Sequence, residues 1–235
     1  MGLILNIETG TDVCSVALAN NGTLLSLRES SSGRDHAKRV AVYTDEILHE
    51  NGTHAQDLSA ISVSKGPGSY TGLRIGVSFA KGLSYGLGIP LLGVGSLDSM
   101  MEIIREEYAA GLLEIDNPTS AVFCPMIDAR RMEVYTQLLG WDGNPLSNVH
   151  AEILTENSFI QYRGEGKEFI IFGSGAKKAS ETLAYSKYME IIPSARGMVR
   201  LSEELYNKKQ FEDTAYFEPL YLKDFIVTTQ KKKLF

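Results

Sequence analysis

The sequence is short of several things at once. Its 235 residues hold two cysteines, Cys14 and Cys124, one tryptophan and four histidines. Two thiols so far apart in a chain of this size do not make a disulfide framework, and reduced thiols in a cytoplasmic protein are expected. Basic residues are in the minority, 23 Lys and Arg against 29 Asp and Glu, for a net charge of −6. That deficit excludes a chain that grips nucleic acid or an anionic membrane unaided, because both need a surplus of cations. No run approaches the roughly 18–20 apolar residues of a membrane span. The opening residues lack a basic region and meet Glu8 at once, so no signal peptide is expected.

Catalytic signatures are scarce as well. There is no phosphate loop of the G-x-x-x-x-G-K-[ST] kind and no G-x-S-x-G nucleophile elbow. His49 and His54 miss the zinc-protease spacing by one residue, and Gly52 ends the helix between them. His36 opens a helix alone. What remains is an ordinary globular composition, 43% hydrophobic, long enough for one large domain or two small ones.

The order of elements is more informative. Apolar runs at 3–9, 13–19 and 23–29 read as three meandering strands, the last two joined through Asn21-Gly22, which supplies the positive φ angles of a tight hairpin. Residues 36–50 change to helical period through Ala37, Val40, Ala41, Thr44, Ile47 and Leu48, and Asn51-Gly52 closes that helix. A strand at 60–64, a helix at 70–85, a strand at 89–94 and a helix at 96–108 follow. After Asn117-Pro118 the meander recurs, with strands expected at 121–127, 132–139 and 146–154, then a short helix, a strand at 168–172 and a helix at 176–185. The pattern predicts an α/β fold of two related units, each a mixed sheet with helices packed on it.

Three segments stand out as sites. Residues 65–76, KGPGSYTGLRIG, join a strand to a helix, where backbone N–H groups favour anions, yet Gly66, Gly68 and Gly72 miss the dinucleotide spacing by one residue. Both a tight structural turn and a phosphate contact fit this segment. Within the helix, Gly72, Gly76 and Ala80 share one face, and each interior glycine costs about 1 kcal/mol relative to alanine. Close approach of another backbone, from its own sheet or from a partner, would explain them. Asp128-Ala129-Arg130 and Gly173-Ser174-Gly175 lie at turns, as plain turns or as nucleotide contacts.

Taken in order, these residues resemble the bacterial TsaB (YeaZ) family. The resemblance rests on ILNIET at 4–9, SVAL at 15–18, His36, GPGSYTGLRIG at 66–76, Asp128-Ala129-Arg130 with Glu133-Val134-Tyr135, and PLYLK at 219–223, and the glycine-rich block is the most specific. It implies the actin-like ATPase (ASKHA) fold of two RNase H-like lobes with mixed sheets, here residues 1–115 and 116–235, with a C-terminal segment that returns to the first lobe. It implies a non-catalytic subunit in threonylcarbamoylation of the adenosine beside the tRNA anticodon. The partners it implies are TsaD and the ATPase TsaE, with a homodimer in isolation and tRNA met only through the complex. No tightly bound cofactor is expected, and ATP or ADP would serve the partner subunits.

The residues modify that picture. Where TsaD carries the second histidine of its metal-binding H-x-x-x-H, this chain has Val40, so no two-histidine metal site is expected. Glu8 stands where actin-like ATPases carry an aspartate at the first phosphate loop. A weak nucleotide contact through Glu8, Thr9, Asp128, Gly173, Ser174 and Gly175 is left open. The partner surface is placed on the helices at 36–50 and 70–85, at Val40, Tyr43, Ile47, Gly72, Arg74, Gly76 and Ser78. The alternatives are a metal-dependent glycopeptidase, the older description of such sequences, or an independent ATPase or chaperone of the same fold.

Overall fold

A computed structural model describes residues 2–31, 35–162 and 166–223. The lysine run at 231–233, expected as a solvated end, lies outside the described residues. The opening meander is β1 (Leu3–Glu8), β2 (Cys14–Asn20) and β3 (Thr23–Ser30), with Asn21 and Gly22 at φ 53° and 73° in the hairpin turn. Helix α1 (His36–Glu50), β4 (Ala60–Gly66), α2 (Tyr70–Leu87), β5 (Leu91–Gly95) and α3 (Ser96–Ala109) follow. The remaining elements are β6 (Val122–Asp128), β7 (Glu133–Thr136), β8 (His150–Ile153), β9 (Phe169–Phe172), α4 (Ala176–Thr182), β10 (Lys187–Met189) and α5 (Val199–Asn207).

The two sheets repeat one plan. The first has the order β3-β2-β1-β4-β5, with β2 antiparallel to its neighbours and β1, β4 and β5 parallel. The second is β8-β7-β6-β9-β10, with β7 antiparallel and β6, β9 and β10 parallel. Each is an RNase H-like sheet, and the pair makes the actin-like architecture.

The second sheet is less regular than the periodicity predicts. Strands β7 and β8 cover only part of 132–139 and 146–154, the helix expected after them is one 3-10 turn at 160–162, and α4 stops at Thr182. Pro125 accounts for the first departure. The N–H of Phe123 faces Leu139 across the ladder, so the position two residues on faces the same way, and proline has no N–H to donate. The ladder between β6 and β7 breaks there, and Thr136 Oγ1 donates to the Pro125 carbonyl at 2.8 Å instead. Strand β10 and helix α5 lie beyond the elements read from the pattern.

The covering helices cross over between sheets. Helices α1 and α2 bury one face of the first sheet through Val40, Ile47, Val77 and Ala80 against Leu5, Ile7, Ile61 and Val63. Its other face is covered from the far end of the chain, where Met198, Leu201 and Leu205 meet Ala17, Leu92 and Val94. Helix α3 in turn sends Leu97, Met100, Ile103 and Ile104 into the second core, against Phe123, Ile170 and Phe172. Glu102 of α3, almost fully buried, pairs with Arg105 and with Arg200 of α5.

Candidate partner groove and inter-lobe cleft

The loop after β1 is built on Glu8. Its carboxylate is fully buried: Oε1 accepts from the Gly10 N–H at 2.6 Å and from Ser64 Oγ at 2.8 Å, while Oε2 is buried without a partner. Burial pushes this carboxyl above the usual range, against the hydrogen bonds from Gly10 and Ser64 that lower it. The next residue, Thr9, donates from Oγ1 to the Gly72 carbonyl at 2.8 Å. A Cβ on Gly72 would collide with the Thr9 carbonyl, and one on Gly76 with Thr9 Oγ1. The glycine face of α2 therefore meets the chain's own loop. His36 pins the far side of the same loop, its Nε2 donating to the Thr11 carbonyl at 2.9 Å, and four residues on Val40 is buried. Among the described residues, no group of three or more His, Cys, Asp and Glu side chains converges as metal ligands would.

Between the lobes lies a cleft of about 540 Å³, with Asp12 and Ser69 on one wall and Asp128, Arg130 and Ser174 on the other. Asp128 is already engaged. Its Oδ1 accepts from the Arg130 N–H at 2.6 Å and pairs with Lys178 Nζ at 2.7 Å. The same ammonium donates to the carbonyls of Arg131 and Glu133, which fixes the β6–β7 turn. Arg130 and Arg131 hold φ of 69° and 50°, a conformation that ordinarily calls for asparagine or glycine.

The cleft corrects part of the expected nucleotide set. Of its six residues, Asp128 and Ser174 line the cleft. Glu8 and Thr9 are buried behind the loop, and Gly173 and Gly175 face inward, where a Cβ would crowd the Met126 carbonyl and Val134.

The second concavity is a groove of about 620 Å³ between α1 and α2, with Val40 on its floor and Tyr70, Arg74, Ser78 and Phe79 along its sides. The expected partner surface divides here. Arg74 and Ser78 are exposed and Tyr43 is half-buried. Ile47 lies in the core, and Gly72 and Gly76 are packed on Thr9, so these three are interior positions rather than surface ones. Periodicity marks an apolar or small-residue face but does not say whether it meets the chain's own sheet. Further along α2, Gly82 and Gly86 are exposed, a Cβ on either meets nothing within 4 Å, and the neighbouring Tyr85 is 85% exposed.

Sequence reasoning did not single out Lys178, and it marked Tyr221 only within PLYLK at 219–223, without its contact to Arg74. Arg74 Nε donates to Tyr221 Oη at 3.2 Å, and the Tyr70 and Tyr221 rings lie 4.7 Å apart. No local pattern announces a contact between residues 147 positions apart.

Two lobes of one topology facing a common cleft define a protein of the actin-like ATPase fold. The sequence model of a family described as TsaD, tRNA N6-adenosine threonylcarbamoyltransferase, matches residues 29–161. The chain is 29% identical over 231 residues to the tRNA threonylcarbamoyladenosine biosynthesis protein TsaB of Escherichia coli, covering 94% of each. It is 36% identical over 146 residues to the protein of the same description from Bacillus subtilis, covering 62% of this chain and 58% of that one. Among solved structures, YeaZ from Pseudomonas aeruginosa superposes with a TM-score of 0.79 at 23% identity, over 94% of this chain and all of that one. The chain belongs to the family that the matching model describes, in its TsaB/YeaZ group.

Proposed function

We propose that this chain is a non-catalytic subunit that pairs with a TsaD-type protein, and with TsaE, in threonylcarbamoylation of the adenosine beside the tRNA anticodon. The observation that carries this is the engagement of Glu8. A carboxylate at the first phosphate loop of an active ATPase faces metal-bound phosphate, whereas this one is buried behind the loop and bonded to Gly10 and Ser64. His36 and Asp128 are likewise held in structural bonds. The family match supplies the pathway, since the relatives above are described as threonylcarbamoyladenosine biosynthesis proteins.

The partner seats on the α1–α2 groove and the exposed stripe of Ser78, Gly82 and Gly86, whose small side chains admit a close helix. Without the partner, the same surface pairs two copies of the chain. The net charge of −6 suits a subunit that meets protein while its partners hold the RNA, and no described helix is long and apolar enough to cross a membrane. The setting is cytoplasmic.

The test is reconstitution of tRNA modification from TsaD, TsaE and this chain, supplied with tRNA, ATP and an activated threonylcarbamoyl donor. Omitting the chain abolishes modification, and Gly82→Leu, which points into open space, abolishes co-purification with TsaD while leaving the fold intact. Full modification without the chain overturns the reading. So does stoichiometric zinc or iron together with peptidase activity, or sustained ATP turnover by the chain alone.

A further inference from the structure

The segment after α5 joins the two lobes. Leu220 donates its backbone N–H to the Lys65 carbonyl near the end of β4, at 2.7 Å. Tyr221 rests on Tyr70 and accepts from Arg74. Lys223 pairs with Glu133 of β7 in the second sheet. Residues 220–223 thus pass from the first sheet, along the start of α2, to the second sheet, and they line the cleft as they go.

Arg74 stands where this segment meets the α1–α2 groove. It is exposed, its guanidinium lies 4.0 Å over the Tyr70 ring, and it bonds to both the Tyr70 and Tyr221 hydroxyls. Its other flank lines the groove, so one side chain belongs to both concavities. Its hydrogen-bond partners here are the phenol hydroxyls of Tyr70 and Tyr221. A carboxylate would be a stronger one, because a paired, charge-assisted bond is about twice as strong as a neutral one and fits the guanidinium fork.

We propose that residues 220–223 are a latch across the inter-lobe cleft, and that a carboxylate on the protein seated in the α1–α2 groove draws Arg74 away from Tyr221 and loosens it. This rests on the reading that the groove receives a protein partner, and it adds what the partner does there. Without Arg74, Tyr221 loses this hydrogen bond and keeps its ring contact with Tyr70. The Leu220 backbone bond still ties the segment to the first sheet, but the partly exposed Lys223–Glu133 pair, its tie to the second, is too weak to hold the lobes together alone. The partner binds the loosened state better because only there is Arg74 free to meet it, which is the differential contact that a shift between two states requires. By the same linkage, a chain whose latch is already open binds the partner more tightly.

The test uses spin labels at Gln56→Cys and Lys177→Cys, one exposed site in each lobe; native Cys14 and Cys124 are buried and stay unlabelled. The free chain gives one narrow distance distribution. Tyr221→Phe, which keeps the ring and loses the hydroxyl, and Glu133→Gln each broaden it, and the double variant broadens it no further. The TsaD-type partner broadens the wild-type distribution in the same way, and Tyr221→Phe binds that partner several-fold more tightly. A bound partner that leaves the wild-type distribution unchanged, or variants indistinguishable from wild type, overturns the latch and leaves the groove assignment standing. A partner that fails to bind the labelled and the unlabelled wild-type chain overturns the groove assignment, and the latch with it.

Discussion

Helix α2 carries glycine on two faces for opposite reasons. On the inner face, Gly72 and Gly76 let the helix touch the Thr9 loop, and a single methyl would strike the backbone or the hydroxyl there. On the outer face, Gly82 and Gly86 look into open space. Folding explains the first pair and gives no reason for the second, since an exposed interior glycine only weakens a helix. The contrast shows that one residue type on one helix can mark an internal contact at one place and open surface at another. Only the arrangement in space separates them.

The largest effect that would break this contrast is at the inner face. Gly72→Ala is expected to cost about 3 kcal/mol, the upper range for overpacking, because the methyl meets backbone that cannot turn aside. Urea titration measures it, and a loss under about 1 kcal/mol would mean that the Thr9 loop yields.

Glu8→Gln probes the support beneath that loop. The Glu8 carboxyl, raised by burial from 4.5, holds its proton more tightly folded than unfolded. Its contribution is therefore full below the unfolded value and is lost as pH rises through the folded one. Wild type is expected to lose stability across that window relative to Glu8→Gln, which keeps an oxygen for Gly10 and Ser64 and has no proton to lose. Parallel stability curves for the two proteins between pH 4 and 8 would show that Glu8 does not titrate there.

At the outer face the sign reverses. Gly82→Ala is expected to stabilise the chain by about 0.5–1 kcal/mol, through helix propensity and a less flexible unfolded chain. A rise in midpoint on thermal or urea unfolding checks it. The smallest effect concerns how tightly the inner side is sealed. Burial holds the Cys14 thiol at about 11 and the Cys124 thiol at about 12, so neither should react with a thiol reagent at pH 8 while the chain is folded. Prompt native-state labelling of Cys14 would show an interior more open than its packing implies.

Much of the first sheet was legible in the sequence because its signals are local. Asn21-Gly22 sets a hairpin by its own φ angles, and helix α1 ends where Asn51-Gly52 stops it. Ser69 caps α2, accepting from the Gly72 N–H. The second sheet was less legible. Pro125 interrupts a ladder in a way that shows only once the direction of the Phe123 N–H is known, and β10 has three residues, too few for a period. Of the site, Arg74 and Ser78 could be placed on an exposed helix face, while Ile47, Gly72 and Gly76 needed the sheet beneath them. The contacts of Lys178 and Tyr221 depend on pairings far apart in the chain, which local spacing does not encode.

The crossing of α3 and α5 bears on how the chain is made. As the polypeptide leaves the ribosome, β1 to β5 and their outer helices emerge first, with the apolar face of Ala17, Leu92 and Val94 still bare. The residues that close it, Met198 to Leu205, follow more than a hundred residues after β5. For most of its synthesis the nascent chain therefore displays a half-covered sheet, the kind of surface that chaperones hold and that aggregates when left alone. The first sheet is covered on both faces only when Met198, Leu201 and Leu205 pack back onto it.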